Sequence, residues 1–197
     1  MNQYLNPILK PQMTKEELQE LPLFDHEGRY ELVETEEAAL KAIEVLKKAP
    51  VLGFDTETRP SFRKGEFYHV ALLQLATHEC CYLFRLNLIP LSLEMVRILE
   101  DEKIIKVGVG IRDDVIALQK IHRFTPNGFI DLAEKTRISR SISLSLRSLC
   151  GMYLHKKLSK GAKVTNWENP TLTPTQAKYA ANDGFVSLLI FEKMFAD

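Results

Sequence analysis

Cysteine is scarce in this chain. Cys80, Cys81 and Cys150 are the whole complement in 197 residues, and two of them are adjacent, so no disulfide framework can be built. A reducing interior, the cytoplasm, is the expected compartment. Glycine and proline number nine each, too few for a loop-rich scaffold. No run of about 18 apolar residues occurs, so no membrane-spanning segment and no membrane partner are expected. The amino terminus MNQYLNPILK lacks the charged start and long apolar stretch of a signal peptide. Net charge is missing as well. The 26 basic and 26 acidic side chains cancel, so no overall field selects a nucleic acid or a membrane.

What is present is globular. Hydrophobic residues make up 45% and charged residues 26%, which excludes a disordered or collagen-like chain. The length suits one domain with its own core. Residues 1–29 have weak periodicity and read as an N-terminal arm ahead of a domain over residues 30–197. Within the arm, Thr14 and Glu17 have capping-box spacing, which predicts a helical turn over residues 14–21.

Residues 30–33 are expected to form a short strand, followed by a helix capped by Thr35 on which Ala39, Leu40, Ile43 and Leu46 recur at helical spacing. Val51-Leu52-Gly53-Phe54 reads as a strand buried on both faces. Further strands are expected over residues 68–76, 80–84, 104–109 and 129–130, with helices over 91–99, from about 111, and from Asp131. Residues 139–149 are ambiguous. Ile142, Leu144 and Leu146 alternate as in a strand, whereas Leu146, Leu149, Cys150 and Tyr153 fit a helix, and the helix is favoured because its pattern runs on. Thr173 and Pro174 should open a last helix reaching almost to the end. This order of elements predicts an α/β layered domain.

Charge is uneven along the chain. Between residues 16 and 37 there are nine acids and one basic residue, Arg29; between 135 and 163 there are eight basic residues and no acid. A solvated helix surface accounts for such a run, and so does a basic lip holding a phosphate backbone. His69, His78, Cys80 and Cys81 match no zinc-site spacing, and Cys80 and Cys81 should face opposite sides of a strand, so buried structural cysteines are expected. Trp167, the single tryptophan, is expected to pack under the last helix.

Three acidic elements stand out. Asp55 and Glu57 alternate to one side of a strand end, where two carboxylates repel unless a cation lies between them. Gly108 and Gly110 precede Asp113 and Asp114 at a strand-to-helix turn; no Walker-type Gly-Lys-Ser/Thr follows, and the third glycine of a dinucleotide fingerprint is absent. Tyr179 and Asp183 are four apart, one turn along the last helix. Each alone has a plain structural explanation.

Taken in order, the three resemble the motifs of the DEDDy 3'-5' exonucleases of the DnaQ-like superfamily, the RNase D-like and Werner-helicase-exonuclease-like branch. The resemblance extends to Gly53-Phe54-Asp55-Thr56-Glu57-Thr58, Val107-Gly108-Val109-Gly110-Ile111, Asn166-Trp167 and Gln176-Ala177-Lys178-Tyr179-Ala180-Ala181. The Val-Gly-Val-Gly-Ile and Asn-Trp stretches look more like the Werner type than RNase D.

The resemblance implies an RNase H-like fold with a mixed five- to six-stranded sheet flanked by helices. It makes Asp55, Glu57, Asp114, Tyr179 and Asp183 the catalytic positions, with the four acids as metal ligands. Asp114 fits the second motif better than Asp113, four residues after Gly110 and four before Leu118, and leaves Asp113 as an exposed neighbour. Two Mg²⁺ or Mn²⁺ ions are implied, one held by Asp55, Glu57 and Asp183, the other by Asp55 with Asp114 directly or through water. Tyr179 would orient the attacking water. Substrate contacts are expected at Thr56 and Gly110 and, in the basic segment, at Lys160 and Lys163. The implied partner is a nucleic acid with a free 3' end, DNA or RNA. The rival is a catalytically silent nucleic-acid-binding scaffold on the same fold; a phosphomonoesterase or nucleotide hydrolase reusing the site is a third reading.

Overall fold

The computed structural model of the chain describes residues 13–63, 65–136, 144–159, 161–162 and 164–195. Thr14 opens α1 (Lys15–Glu20) with a reciprocal cap: the Glu17 amide donates to Thr14 Oγ1 at 3.1 Å and the Thr14 amide to Glu17 Oε2 at 2.7 Å. β1 (Arg29–Val33) leads to α2 (Glu36–Leu46), capped by Thr35 as its sequence predicts. Then come β2 (Val51–Thr58), β3 (Val70–Ala76) and β4 (Cys80–Arg85), joined by short turns or loops. The second half comprises α3 (Leu93–Glu100), β5 (Ile105–Gly108), α4 (Arg112–Ile121), β6 (Phe129–Asp131) and α5 (Leu132–Thr136). Last are α6 (Leu146–Leu149), which runs on as a π-helical turn over Cys150–Leu154, and α7 (Pro174–Phe195).

The six strands form one mixed sheet in the order β1-β4-β3-β2-β5-β6. β3 is antiparallel to β2 and β4, while β1–β4, β2–β5 and β5–β6 are parallel. β2 continues past Phe54 to Thr58, because Asp55, Thr56 and Glu57 extend the ladder opposite Gln74, Leu73 and Leu72. The Asp-Thr-Glu element therefore lies within the strand rather than after it. Of the helix expected over residues 139–149, residues 139–143 lie outside the described residues and Leu146–Leu149 is helical.

Strand alternation divides the core in two. Leu52, Phe54, Cys80, Tyr82 and Phe84 pack with α2, α3 and α4 on one face. Ala76, Cys81, Leu83 and Val107 pack with α5, the π-helical turn and α7 on the other. Cys80 and Cys81 thus face opposite sides, and all three cysteines are buried and free of disulfides.

α7 is the organising helix of its face. Thr173 and Gln176 cap it reciprocally: the Gln176 amide donates to Thr173 Oγ1 at 3.2 Å and the Thr173 amide to Gln176 Oε1 at 3.0 Å. Gln176 Nε2 also donates to Thr165 Oγ1 at 2.9 Å and to the Asn166 carbonyl at 3.3 Å, tying the Asn166-Trp167 turn to the helix start. Trp167 is fully buried, its ring 6.2 Å from that of Tyr179, so it packs under α7 as expected. Among the described residues, no helix is long and apolar enough to cross a membrane.

Candidate active site

The site is a consequence of strand parity. Gly53, Asp55 and Glu57 alternate to the α7 face of β2, whereas Thr56 turns to the α4 face. On the first face, the Asp55 and Glu57 carboxylates meet Asp183 from the middle of α7, and oxygens of the three lie within 4.8 Å of one another. Asp183 is 6% exposed; Asp55 and Glu57 are half-buried. Three carboxylates this close repel, and burial strengthens the repulsion, so a cation is the natural fourth member. An oxygen-only donor set suits a hard divalent ion such as Mg²⁺ or Mn²⁺.

Tyr179 lies one helical turn before Asp183 and hydrogen-bonds to its carboxylate. Burial, then the negative charges of Asp183, Glu57 and Asp55, push the phenol well above its ordinary range. The hydroxyl is therefore protonated at neutral pH, a donor rather than a base.

Asp114 does not join the three-carboxylate cluster. Its Oδ1 accepts a hydrogen bond from the Thr56 hydroxyl on the opposite side of β2. Burial raises its pKa above the usual carboxylate value; the Thr56 hydrogen bond opposes this, and the neighbouring Asp113 adds to it. Asp113 itself is exposed. The turn into α4 depends on Gly110, whose φ of +72° lies in the left-handed region and whose amide donates to Asp131 Oδ2 at 3.0 Å.

A cavity of about 370 Å³ opens over the cluster. Asp55, Thr56, Glu57, Gly110, Tyr179 and Asp183 line it, which brings six of the positions named from sequence to one cleft. Lys160 and Lys163 lie outside the described residues. Sequence reasoning did not single out other residues that line the cleft, among them Leu144, Ser145 and Arg147 around the start of α6, with Leu158 and Ser159. Arg147 belongs to the basic segment over residues 135–163, but periodicity does not say which of its cations reaches a cleft.

The sequence profile described as 3'-5' exonuclease matches residues 30–196. The chain belongs to this 3'-5' exonuclease family. The mouse bifunctional 3'-5' exonuclease/ATP-dependent helicase WRN is 33% identical over 157 residues, which cover 76% of this chain and 11% of the mouse protein. Exonuclease 3'-5' domain-containing protein 2 of Drosophila melanogaster is 34% identical over 151 residues, 75% of this chain and 26% of the fly protein. The crystal structure of Escherichia coli RNase D, an exoribonuclease involved in structured RNA processing, matches with a TM-score of 0.77 and 25% identity. That match covers 84% of this chain and 44% of the RNase D chain. This chain thus spans a minor part of each relative's length. The fold of the family is the RNase H-like arrangement that the resemblance implied, with the full six strands of the mixed sheet.

Proposed function

We propose that the chain is a metal-dependent 3'-5' exonuclease, hydrolysing phosphodiester bonds from the 3' end of DNA or RNA and releasing nucleoside 5'-monophosphates. The observation that carries this reading is the convergence of Asp55, Glu57 and Asp183 within 4.8 Å, beneath a cleft that Tyr179 also lines. Three carboxylate oxygens this close form the donor set that a hard divalent cation takes.

In this reading Asp55, Glu57 and Asp183 hold one Mg²⁺ or Mn²⁺, and Asp55 with Asp114, directly or through water, holds a second. When bound, such a pair of ions supplies an activated water and neutralises charge at the leaving oxygen of an in-line displacement. The chain's own groups then have distinct tasks. Tyr179, a phenol with an ordinary pKa of about 10, is protonated at neutral pH, so it orients the water without taking its proton. Thr56 holds the Asp114 carboxylate through its hydroxyl and, with Gly110, offers the cleft a polar floor. The substrate contacts assigned to Thr56, Gly110, Lys160 and Lys163 belong to the same proposal.

The test is a gel assay with 5'-labelled single-stranded and 3'-recessed DNA and RNA, in Mg²⁺, Mn²⁺ or EDTA, with Asp55→Ala as control. A metal-dependent ladder shortening from the 3' end, lost in the variant, is expected, and the preferred strand identifies the substrate. Intact label in every lane beside measurable nucleic-acid binding would replace the enzyme with a scaffold.

A further inference from the structure

Among the described residues that line the catalytic cavity, Arg147 alone carries a positive charge. Its backbone is firmly anchored. The Ser148 amide donates to Ser145 Oγ at 3.2 Å and the Ser145 amide to Ser148 Oγ at 2.8 Å, closing a capping box around the residue. Directly behind it, Leu149 and Cys150 are fully buried where the π-helical turn packs on α7. A half-buried arginine thus lines the cleft from a backbone held in place.

The Arg147 side chain makes no ion pair or hydrogen bond among the described residues, although it shares its cavity with three carboxylates. The two kinds of charge are therefore held apart, acids on β2 and α7, cation on α6. A nucleic-acid strand needs both. Its phosphates carry the same sign of charge as the carboxylates, and a planar guanidinium satisfies phosphate oxygens bidentately. Leu144 and Leu158 beside it offer apolar surface to a sugar or base.

We propose that Arg147 binds a backbone phosphate of the strand whose 3' end lies over the acidic cluster, and so positions that strand for hydrolysis. This rests on the exonuclease reading and adds a residue to it. Arg147 is a substrate-positioning residue here, and the expected signature is in binding rather than in turnover.

The test uses fluorescence anisotropy of a short labelled single-stranded DNA and RNA with the whole chain, in Ca²⁺ to hold back cleavage and over a salt series. Arg147→Ala should weaken binding about tenfold, the scale of one charge-assisted contact. It should also flatten the slope of log Kd against log salt by about 0.7, one phosphate contact on a single strand. Arg147→Lys should keep the slope and recover the affinity only in part, since an ammonium cannot form the fork. In Mg²⁺, the alanine variant should raise KM with kcat nearly unchanged. Wild-type Kd and salt slope in Arg147→Ala would overturn the assignment while leaving the exonuclease in place. A wild-type chain that neither binds nor shortens the strand would overturn both.

Discussion

A Cβ on Gly53 would lie 1.9 Å from the carbonyl oxygen of Gly184. The backbones of β2 and α7 therefore touch with no side chain between them. Neither glycine has a positive φ, so the requirement is space, not conformation. Gly184 is hemmed in on its other side, where a Cβ would meet Cys81 Sγ at 3.1 Å and Ala76 Cβ at 3.2 Å. Asp183 is the residue before Gly184, and Asp55 lies two residues after Gly53. This one backbone contact sets how closely the two carboxylates approach.

Gly53→Ala should consequently damage stability and site together. The added methyl meets backbone, which cannot rotate away, so α7 must shift. Overpacking of a core usually costs about 1–3 kcal/mol, and the upper end or beyond is expected here. Chemical denaturation measures the loss. Calorimetric titration of Mn²⁺ on the folded fraction should show weakened binding, because displacement of α7 carries Asp183 with it.

The clustered carboxylates predict a stability that responds to metal through Asp55. A ligand that binds only the folded state stabilises it by about 2.7 kcal/mol at a hundredfold excess over Kd. Excess Mg²⁺ or Mn²⁺ should therefore raise the melting temperature of wild type, and raise that of Asp55→Asn, which lacks one of the three carboxylates, by less. Thermal melts of both proteins with metal and in EDTA provide the check. Equal shifts in the two proteins would mean that Asp55 does not hold the ion.

Much of this was legible in sequence, for definite reasons. Val51 to Phe54 announced a strand because apolar runs between polar turns have few alternatives, and alternation alone placed Asp55 and Glu57 on one side. Thr14, Thr35 and Thr173 marked helix starts because capping is local chemistry. That Asp183 meets Asp55 is a tertiary fact, and it came from motif resemblance rather than periodicity. The Thr56–Asp114 hydrogen bond joins residues far apart in the chain and on the face opposite the cluster; no pattern along the chain encodes it. Arg147 is one of eight cations in its segment, and only packing of α6 distinguishes it.

Tyr179→Phe should leave fold and metal binding close to wild type while lowering kcat by about 10²-fold, the lower end of what a positioned proton-handling group contributes. The ring stays available to pack near Trp167, and only the hydroxyl that hydrogen-bonds with Asp183 is lost. Because burial raises the phenol above its ordinary range, the alkaline limb of the wild-type pH profile should not report its ionisation. Single-turnover rates across pH would show parallel profiles for the two proteins, offset in height.

The segment ahead of β1, read from sequence as an arm, makes its own prediction, because its contacts fall beside site residues. Lys178, next to Tyr179, pairs with Asp25 at 2.6 Å and donates to the His26 carbonyl at 2.7 Å. Asn182, next to Asp183, accepts from the His26 amide at 3.4 Å. The His26 ring stacks on Phe185 with centroids 3.9 Å apart, and its Nδ1 accepts from the Gly28 amide at 2.8 Å. Burial, then the positive charge of Lys178, holds the imidazole below its ordinary value of 6.5. The folded chain thus prefers the neutral ring. Its contribution is complete above 6.5 and is lost as pH falls through the lower folded value, where protonation must break the Gly28 hydrogen bond. Wild type should therefore lose stability in that acid window more steeply than His26→Gln, which keeps an acceptor and cannot titrate. An NMR titration of the His26 ring should give a midpoint below 6.5, and hydrogen exchange at the arm amides should rise over the same interval. A midpoint at or above the ordinary value would show that the neutral ring does not clamp the arm.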